Sequence, residues 1–455
     1  MASSADYFIG LDLGTTSVKA CAFDRRGQLL HNTNQAYPLE HPSPGAAIQD
    51  PALLLKAAEQ ALQDLIRESP GTPGGVGLSC PMHGIFLLDE QERPLTEIIT
   101  WADTRAEVVM ADFSPAQRRE LLRCTGTPVH PMSPLVKYRW LRLHDPGLFA
   151  EARYVRGIKE ILTSAWTGQA VLDEQLASAT GLYDSVAGEW SALALAAATA
   201  PGAYTKDEPR LPTVRPATHQ LTWLPEVADR LGLSGVPLFL GGSDGVLANL
   251  GSGLLSPEEV AITVGTSAAV RATHRQARID PAHGLFNYRM LDDYYVVGGA
   301  SNNGGKALEF WQELLVGHFT SVGEFINAGL SVAREDSPAF LPYLYGERAP
   351  IWDASATASL QGLRGFHDHR HLARAVLEGV TDNLLAILRQ LEAAVGTPHR
   401  LHVSGGITQS PAWMDLLAER SGRPTAVADA PQASAYGAAL IARLGTGDLA
   451  SLKEI

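Results

Sequence analysis

The stretch YFIGLDLGTTSVKACAFD, residues 7–24, contains two apolar runs on either side of a polar loop. Asp12 interrupts the first run. The loop after it, called loop 1, consists of Gly14, Thr15, Thr16 and Ser17. A glycine followed by hydroxyl residues in a tight turn can direct several N–H groups and hydroxyls at one point, which favours binding of phosphate. The same pattern is also typical of an ordinary hairpin turn, so loop 1 alone leaves both interpretations open.

A second copy of this pattern lies about half a chain away, in the segment VAITVGTSAAVRA that begins at Val260. Its loop, called loop 2, consists of Gly265, Thr266 and Ser267. A repeat at this separation predicts two similar domains rather than a short-period solenoid. Two such loops in one chain favour phosphate binding over two unrelated hairpin turns. The copies differ because Thr263 stands where the first copy has Asp12, so only loop 1 is expected to bring a metal ion.

The chain length supports the two-domain interpretation, since 455 residues exceed the size of one compact core. We place the boundary between an N-terminal domain, residues 1–249, and a C-terminal domain, residues 250–455. The sequence predicts an antiparallel strand meander over residues 7–34 and a helix that begins at Pro51 with Asp50 as its N-cap. Residues 100–200 are predicted to be mostly helical, and residues 201–216 to form a loop.

Composition excludes several classes of protein. The formal net charge is -13, which argues against a general nucleic-acid-binding protein because phosphate backbones attract clustered Lys and Arg. The N-terminus lacks the basic and apolar regions of a signal peptide, and no apolar stretch has the length of a membrane span. We therefore expect a cytoplasmic protein that binds no membrane. The scattered cysteines are predicted to be small buried residues, and they are Cys21, Cys80 and Cys124.

Two aspartates are candidates for chemistry. Asp12 lies in an otherwise apolar strand, where a carboxylate is costly unless it is paired or faces a cation, so it is predicted to hold Mg²⁺ through water. The alternative is a carboxylate that accepts N–H bonds from the loop. Asp244 follows an apolar strand and two glycines in FLGGSDG, and it is a candidate general base for a hydroxyl nucleophile. An aspartate among glycines is also typical of a turn.

Glycines also mark a third segment, SGGITQSPAWMDLL, in which Gly405 and Gly406 lie between a predicted strand and a predicted helix. Glycines there would let a flat ring such as adenine lie against the backbone. A plain strand-to-helix turn is the alternative interpretation.

The order Asp-x-Gly-Thr-Thr, Gly-x-x-Asp-Gly, Val-Gly-Thr-Ser and Ser-Gly-Gly resembles the FGGY family of carbohydrate kinases, in the superfamily of actin, Hsp70 and hexokinase. The stretch ASLQGLRGFHDHRHLARAVLE, residues 358–378, fits the C-terminal signature of that family. MSPLVKYRWL fits most of the N-terminal signature, from which Leu143 departs. The resemblance covers essentially the whole chain. It implies an α/β fold with two actin-like (ribonuclease H-like) ATPase domains, a cleft between them, and ATP and Mg²⁺ as cofactors.

Within the family, the segments TGTPVHPMSPLVKYRWL, GIKEIL and LASATGLYD are most similar to gluconokinases. The implied reaction is phosphorylation of D-gluconate by ATP, with Asp244 as the base that accepts the proton of the terminal hydroxyl. The resemblance assigns both loops to phosphate, Asp12 to the metal, and Gly405, Gly406 and Gln409 to adenosine. On the sugar side it implies Met82, His83, Trp101, Asp103 and Arg105. Segments expected to border the cleft from the second domain contain Asn303, Glu347 and Arg348.

A gluconate carboxylate would need a local cation in a protein of this net charge, and the candidates are His83, Arg105 and Lys159. Each has a plainer alternative, since Arg105 could only pair with Asp103 and Lys159 could be a solvated helix residue. Met132 and Gln432 depart from the family pattern, on the substrate side and the nucleotide side respectively.

The nearest competing function is another sugar kinase of the family, xylulokinase first, because the two differ only in pocket residues. A nucleotide-dependent binding protein of the actin or Hsp70 type is the remote alternative, since this fold does not dictate catalysis. Beyond ATP and a small-molecule substrate, the sequence leaves a homodimer open.

Overall fold

The computed structural model describes residues 5–202, 204–205, 208–428 and 432–454. The chain divides into two compact units. Unit 1 consists of residues 1–253, 287–295 and 430–455, and unit 2 consists of residues 254–286 and 296–429. This division differs from the predicted boundary after residue 249 chiefly in two segments, because residues 287–295 and 430–455 pack with the N-terminal part of the chain.

The first 253 residues contain most of unit 1. Their strands are β1 (Tyr7–Leu13), β2 (Ser17–Phe23), β3 (Leu29–Ala36), β4 (Ile48–Gln49), β5 (Pro73–Cys80), β6 (Phe86–Leu88), β7 (Ile98–Ile99), β8 (Tyr154–Arg156), β9 (Val171–Asp173), β10 (Tyr183–Asp184), β11 (Glu189–Trp190), β12 (Thr213–Arg215), β13 (Gln220–Leu221) and β14 (Leu238–Ser243). Their α-helices are α1 (Pro51–Glu68), α2 (Pro115–Thr125), α3 (Pro134–His144), α4 (Pro146–Glu151), α5 (Ile158–Thr167), α6 (Glu174–Ser178), α7 (Ala192–Thr199), α8 (Pro225–Leu231) and α9 (Asp244–Gly251).

The remaining strands are β15 (Glu259–Val264), β16 (Ala268–His274), β17 (Phe286–Leu291), β18 (Tyr294–Ser301), β19 (Ala339–Leu341), β20 (Ser359–Gln361), β21 (Arg400–Gly405) and β22 (Thr425–Val427). The remaining α-helices are α10 (Gly305–Leu314), α11 (Val322–Leu330), α12 (His369–Val395), α13 (Pro411–Ser421) and α14 (Ala433–Thr446). Short 3-10 helices occur at Arg105–Asp112, Arg334–Asp336, Gly406–Gln409 and Leu452–Glu454.

The central sheet of unit 1 has six strands in the order β13-β14-β5-β1-β2-β3. Strands β1, β2 and β3 form the predicted antiparallel meander, whereas β5 and β14 run parallel to β1. The second six-stranded sheet, built mainly from strands of unit 2, has the order β17-β18-β16-β15-β21-β22, in which β15 is antiparallel to β16 and parallel to β21. The first strand of each copy is therefore flanked by an antiparallel and a parallel neighbour, which confirms the repeat and the ribonuclease H-like arrangement.

Helix α1 covers one face of the unit 1 sheet, where it packs on β2 and β3. The side chain of Asp50 caps it by accepting a hydrogen bond of 2.7 Å from Ala52 N, as the sequence predicted. The buried side chains of the helix recur at the spacing of one helical face, and they include Leu54, Ala58, Leu62 and Leu65.

Helix α14 contacts β1 and β5 of the same sheet, which explains why the C-terminal segment belongs to unit 1. Glycines in the two strands permit this close contact. A Cβ atom on Gly10 would lie 1.8 Å from the Ala435 carbonyl oxygen, and one on Gly77 would lie 2.0 Å from that of Ala438. Sequence periodicity carries no information on which sheet a helix packs against, so the prediction placed α14 with its sequence neighbours.

Two other predictions can be compared with the structure. Residues 201–216 were predicted as a loop, but Thr213–Arg215 form β12, which pairs in parallel with β9. Cys21 and Cys80 are fully buried, as predicted, and burial raises the pKa of each thiol to about 12, whereas Cys124 is only half-buried. Among the described residues, no helix is long and apolar enough to span a membrane.

Candidate active site

The carboxyl ends of β1, β5 and β14 meet at one edge of the unit 1 sheet, because these three strands are parallel. Asp12 on β1 is the register partner of Ser79 on β5, and Ser79 is the partner of Gly242 on β14. Two strand spacings therefore separate Asp12 from Gly242, which is about 10 Å. Asp244 begins α9 two residues further on. The sheet thus brings both predicted aspartates to the same edge, although 231 residues separate them in sequence.

Asp12 is a half-buried carboxylate with one engaged oxygen. Ser79 Oγ donates to Asp12 Oδ1 over 2.6 Å, and no described residue donates to Oδ2. Burial raises the pKa of Asp12, while the Ser79 hydrogen bond and the charge of Lys19 act in the opposite direction. Lys19 faces Asp12 across the strand pair and also donates to Gln432 Oε1 over 3.2 Å. A hard oxygen ligand with one open oxygen fits Mg²⁺ that keeps most of its water.

Loop 1 is held by its carbonyl groups. Gly14 N donates to Ser17 O over 2.8 Å, and the Tyr37 hydroxyl donates to the Gly14 carbonyl. The Thr15 carbonyl accepts a bond from Gln49, and the Thr16 carbonyl accepts one from Tyr37 N. In contrast, the backbone N–H groups of Thr15 and Thr16 donate to none of the residues that the structure describes. This arrangement is suited to an anion, because the loop presents donors and its acceptors are already used.

Asp244 lies directly beyond the buried strand β14, at the first position of α9. Its Oδ1 accepts a hydrogen bond of 2.7 Å from Gly245 N, and its carbonyl accepts one of 3.1 Å from Ser434 Oγ on the N-terminal turn of α14. The backbone around Asp244 is thus fixed from two sides while its side chain remains at the sheet edge.

The predicted sugar-side residues come from two segments of unit 1. His83 has a left-handed backbone, with a φ of 68°, and its Nδ1 lies 2.9 Å from the Ala179 carbonyl. Met82 is partly buried against the core of the unit. Trp101 Nε1 donates to Thr15 Oγ1 over 3.2 Å, so this indole supports loop 1.

Asp103 and Arg105 form an ion pair of 2.7 Å, with 1% of the Asp103 side chain and 28% of the Arg105 side chain exposed. Asp103 also accepts a bond of 2.9 Å from Ala47 N, so its carboxylate is occupied within the chain. Arg105 uses Nε and Nη2 in this pair, whereas its Nη1 donates to nothing in the described part of the chain. Arg105 is therefore a paired cation that still has an open donor.

Lys159 was predicted to be either a cation that binds the substrate carboxylate or a solvated helix residue, and its environment fits neither. Its side chain is fully buried, so it is neither a solvated helix residue nor a surface cation. Its ammonium contacts the Asp173 carboxylate at 3.1 Å and the carbonyl oxygens of Leu240 and Gly242 at 2.5 and 3.3 Å. An ammonium has only three protons, so Lys159 has no donor left for a substrate carboxylate.

Lys137, which was not among the candidates predicted from the sequence, contacts the backbone of both predicted sugar-side segments. Its buried ammonium donates to His83 O over 2.8 Å and to Thr100 O over 2.6 Å, which joins the two sugar-side segments through their backbones. Burial lowers the pKa of Lys137 to about 7. The negative charge of Asp103 raises this pKa, and the positive charge of Arg105 lowers it further. A lysine at the centre of a family signature was the available signal, but the signature does not say what the ammonium touches.

The stability of the protein is expected to depend on pH through Lys137. Between its folded pKa of about 7 and its unfolded value, the unfolded chain binds more protons, so the free energy of unfolding should rise with pH. Urea denaturation gives the free energy of unfolding of the wild type and of Lys137→Met. The value for the wild type minus the value for the variant should increase by a few kcal/mol from pH 7 to pH 9. Lys56→Met, which removes an exposed lysine, is the control. Its free energy of unfolding should change with pH as that of the wild type does. The same pH dependence of the free energy of unfolding in the wild type and Lys137→Met would contradict the lowered pKa of Lys137.

Unit 2 presents loop 2 at the equivalent edge of its own sheet. Gly265 N donates to Ser267 O over 2.9 Å, and Gly305 N at the start of α10 donates to Gly265 O over 2.7 Å. Thr263 accepts a bond of 3.1 Å from Ser404 Oγ, just as Asp12 accepts one from Ser79. The two copies therefore share a serine on the neighbouring parallel strand and differ in the acidic group.

The predicted adenosine-side residues lie beside loop 2. Gly405 at the end of β21 is the register partner of Val264 at the end of β15. Gly406 and Gln409 belong to the 3-10 helix that follows, and both are exposed. The register thus brings these residues and loop 2 to the same edge of the unit 2 sheet.

Three weaker candidates of unit 2 form a buried network. Glu347 is fully buried and accepts hydrogen bonds from Ser301, Asn303 and Asn383, and from the backbone N–H groups of Asn302 and Arg348. Arg348 donates to Ser301 O over 3.1 Å. Glu347 and Asn303 therefore contribute to the interior of unit 2, which explains these polar residues without a ligand.

Comparison with known proteins matches both halves of the chain. Residues 7–251 match the N-terminal domain, and residues 260–445 the C-terminal domain, of the FGGY family of carbohydrate kinases. A gluconokinase from Bacillus licheniformis is 32% identical over 99% of this chain and 89% of its own length.

Solved structures give the same result for the fold. A gluconate kinase from Lactobacillus acidophilus superposes with a TM-score of 0.92 at 31% identity, over 99% of this chain and 91% of that one. A ligand-bound xylulose kinase from the same organism also gives 0.92 at 31% identity, over 98% and 91%. Global similarity therefore does not separate these two substrates.

Proposed function

The chain belongs to the FGGY family of carbohydrate kinases, and from that premise we propose that it transfers the terminal phosphoryl group of ATP to D-gluconate, giving 6-phosphogluconate and ADP. The observation that carries the proposal is that β1, β5 and β14 end at one edge of the unit 1 sheet. Asp12 and loop 1 lie at the end of β1, His83 follows β5, and Asp244 follows β14. A phosphate-binding loop and a separate carboxylate at one sheet edge are the groups that phosphoryl transfer to a hydroxyl requires.

Asp244 is the proposed general base. A carboxylate is too weak a base to deprotonate an alcohol beforehand, but the proton moves late in a loose phosphoryl-transfer transition state. Asp244 therefore orients the terminal hydroxyl of the sugar acid and accepts its proton as the new O–P bond forms. Positioning and charge neutralisation supply most of the remaining reduction of the barrier.

Asp12 is the proposed ligand of Mg²⁺, through its open Oδ2 or through water held by it. When bound, the metal ion neutralises charge on the phosphate oxygens. The N–H groups of Thr15 and Thr16 are proposed to bind those oxygens, as are the groups of loop 2. Gly405, Gly406 and Gln409 are proposed to border the adenosine.

Gluconate is favoured over a neutral sugar by two features. The gluconokinase relative is 32% identical, whereas a xylulose kinase from Bacillus subtilis is 26% identical over a similar length. Of the three predicted cations, Arg105 is the one that is partly exposed. Its Nη1 donates to no described residue and is open to a substrate. A guanidinium that is already oriented by Asp103 is suited to the planar carboxylate of a sugar acid. Xylulose is the second candidate because the two Lactobacillus acidophilus structures superpose equally well.

A coupled assay of ADP formation tests the substrate assignment with gluconate, xylulose, ribulose and glycerol side by side. Gluconate is expected to give the highest kcat/KM, by at least about tenfold over any neutral substrate, since a carboxylate paired with arginine adds a charge-assisted hydrogen bond. A higher kcat/KM for xylulose would overturn the choice of substrate and leave the kinase assignment standing.

Arg105→Met sharpens the same experiment. If Arg105 binds the carboxylate, this variant should lose kcat/KM for gluconate more than for xylulose. Arg142→Met is the matched control, because Arg142 pairs with Glu208 in the same unit at a similar exposure of 27%. Equal losses for both substrates in Arg105→Met would assign Arg105 to supporting Asp103 only.

A further inference from the structure

The strand that leads to Asp244 is irregular just before it. The register between β14 and β5 shifts between Phe239 and Gly242. At Gly241 the backbone has a φ of 69°, and a Cβ atom there would lie 1.8 Å from the Leu78 carbonyl oxygen. A bulge of this kind removes regular ladder hydrogen bonds from the residues around it. The last residues of β14 therefore need other partners to hold a fixed position.

Lys159 on α5 supplies one set of partners. Its buried ammonium lies 2.5 Å from Leu240 O and 3.3 Å from Gly242 O, on either side of the bulge. Asp173 balances this charge at 3.1 Å, and the same carboxylate caps α6 through Leu176 N at 2.9 Å. The ion pair thus connects the irregular strand end to the helix that follows β9.

Backbone carbonyls of His219 and Ala217 hold Leu240 N and Gly241 N. Gln175 on α6 holds the next N–H group along the strand. Its Oε1 accepts a hydrogen bond of 3.0 Å from Ser243 N, the residue that precedes Asp244. Its Nε2 donates to Met290 O over 2.8 Å, and the side chain is fully buried. A Cβ atom on residue 242 would lie 1.9 Å from Gln175 Oε1, so the glycine there allows the amide to approach. Both ends of the amide are therefore engaged in fixing backbone.

We propose that Gln175 and Lys159 are positioning residues that hold the backbone of Leu240–Ser243 and so set the place of the Asp244 carboxylate. The inference rests on the proposed role of Asp244 as the general base. The two side chains give the irregular strand end hydrogen bonds from two neighbouring helices, α5 and α6. A displacement of the base by about 1 Å is sufficient to lower a rate about 100-fold.

Gln175→Met tests this, because methionine keeps the length of the side chain and loses both hydrogen bonds. We expect kcat for sugar phosphorylation to fall about 10- to 100-fold while KM for ATP changes by less than about twofold. Thr163→Val is the matched control, since Thr163 is a buried residue of α5 whose hydroxyl hydrogen-bonds with the backbone of Val171. The control should keep the wild-type kcat at a comparable loss of thermal stability.

A double-mutant cycle with Asp244→Ala separates positioning from general damage. If Gln175 acts through Asp244, adding Gln175→Met to Asp244→Ala should lower the residual single-turnover rate no further. A further loss equal to that of Gln175→Met alone would overturn the proposal, as would an unchanged kcat in the single variant. Lys159→Met, examined in the same cycle, is the second variant if Gln175→Met does not fold.

The same measurements distinguish this inference from the proposed function. Full activity of Asp244→Ala would contradict the assignment of the base itself. Loss of activity in Asp244→Ala together with a wild-type kcat in Gln175→Met would contradict only the positioning role.

Discussion

Asp244→Ala is expected to lower kcat for sugar phosphorylation by about 10²- to 10⁴-fold, the range that general base catalysis contributes. The carboxylate is the only group proposed to accept the proton of the attacking hydroxyl. Removing it leaves the N–H groups of loop 1 and the Asp12 carboxylate in place, because both belong to β1 and its following turn. Nucleotide binding should therefore remain close to that of the wild type.

The measurement is a coupled assay at saturating substrate, combined with a direct titration of ATP binding. Asp50→Ala is the control, since Asp50 caps α1 and its loss should cost about 1 kcal/mol of stability without changing kcat. A kcat for Asp244→Ala within tenfold of the wild type would show that another group accepts the proton. Absence of sugar phosphorylation in the wild type, with intact ATP binding, would instead favour a nucleotide-dependent binding protein.

Asp12→Asn is expected to lower kcat by at least about 100-fold, since a metal ion contributes several kcal/mol of charge stabilisation in phosphoryl transfer. The amide keeps the acceptor for Ser79 Oγ and loses the negative charge. The Mg²⁺ concentration that gives half of the maximal rate should increase. The wild-type Mg²⁺ dependence in this variant would contradict the metal role and leave Asp12 as the acceptor for Ser79 Oγ only.

The same substitution is expected to stabilise the protein in the absence of nucleotide and Mg²⁺. Burial raises the pKa of Asp12, so the folded state binds this proton more tightly than the unfolded chain. Stability from this group is present at low pH and is lost as pH rises from the unfolded pKa through the folded one. Urea denaturation at pH 7 should therefore give a higher free energy of unfolding for Asp12→Asn than for the wild type, with a smaller difference at pH 4. A less stable variant at pH 7 would contradict the cost of burying this charge.

Local patterns predicted the elements that carry the candidate site. The apolar alternation around loops 1 and 2 predicted two hairpins, and each hairpin is present with its loop closed by a backbone hydrogen bond. The strand that leads to Asp244 was predicted from an apolar run that ends in glycines, and its parallel pairing with β5 is a finding of the structure. Whether the assigned residues bind phosphate, metal and sugar stays a prediction, because those roles depend on groups outside this chain.

The sequence did not reveal the surroundings of two candidates whose partners are far away along the chain. Lys159 was considered because a gluconate carboxylate would need a local cation, and a solvated helix residue was its alternative. The structure buries it against carbonyl groups of β14, which lies 81 residues further along the chain at Leu240. Glu347 was considered because its segment resembles one that borders the cleft in the family, and the structure shows that five donors from its own unit satisfy its carboxylate.

By itself, the sequence determined the paired hairpins, the two phosphate-type loops, the position of each aspartate at a strand end, and the family resemblance. Only the tertiary structure decided that α14 completes unit 1, that Lys137 joins the two sugar-side segments, and that Gln175 holds the residue before Asp244. The physical reason is the range of the forces involved. Strand alternation and turn chemistry depend on residues a few positions apart, whereas these contacts join residues 54 and 68 positions apart and form only when the sheet and its helices are packed.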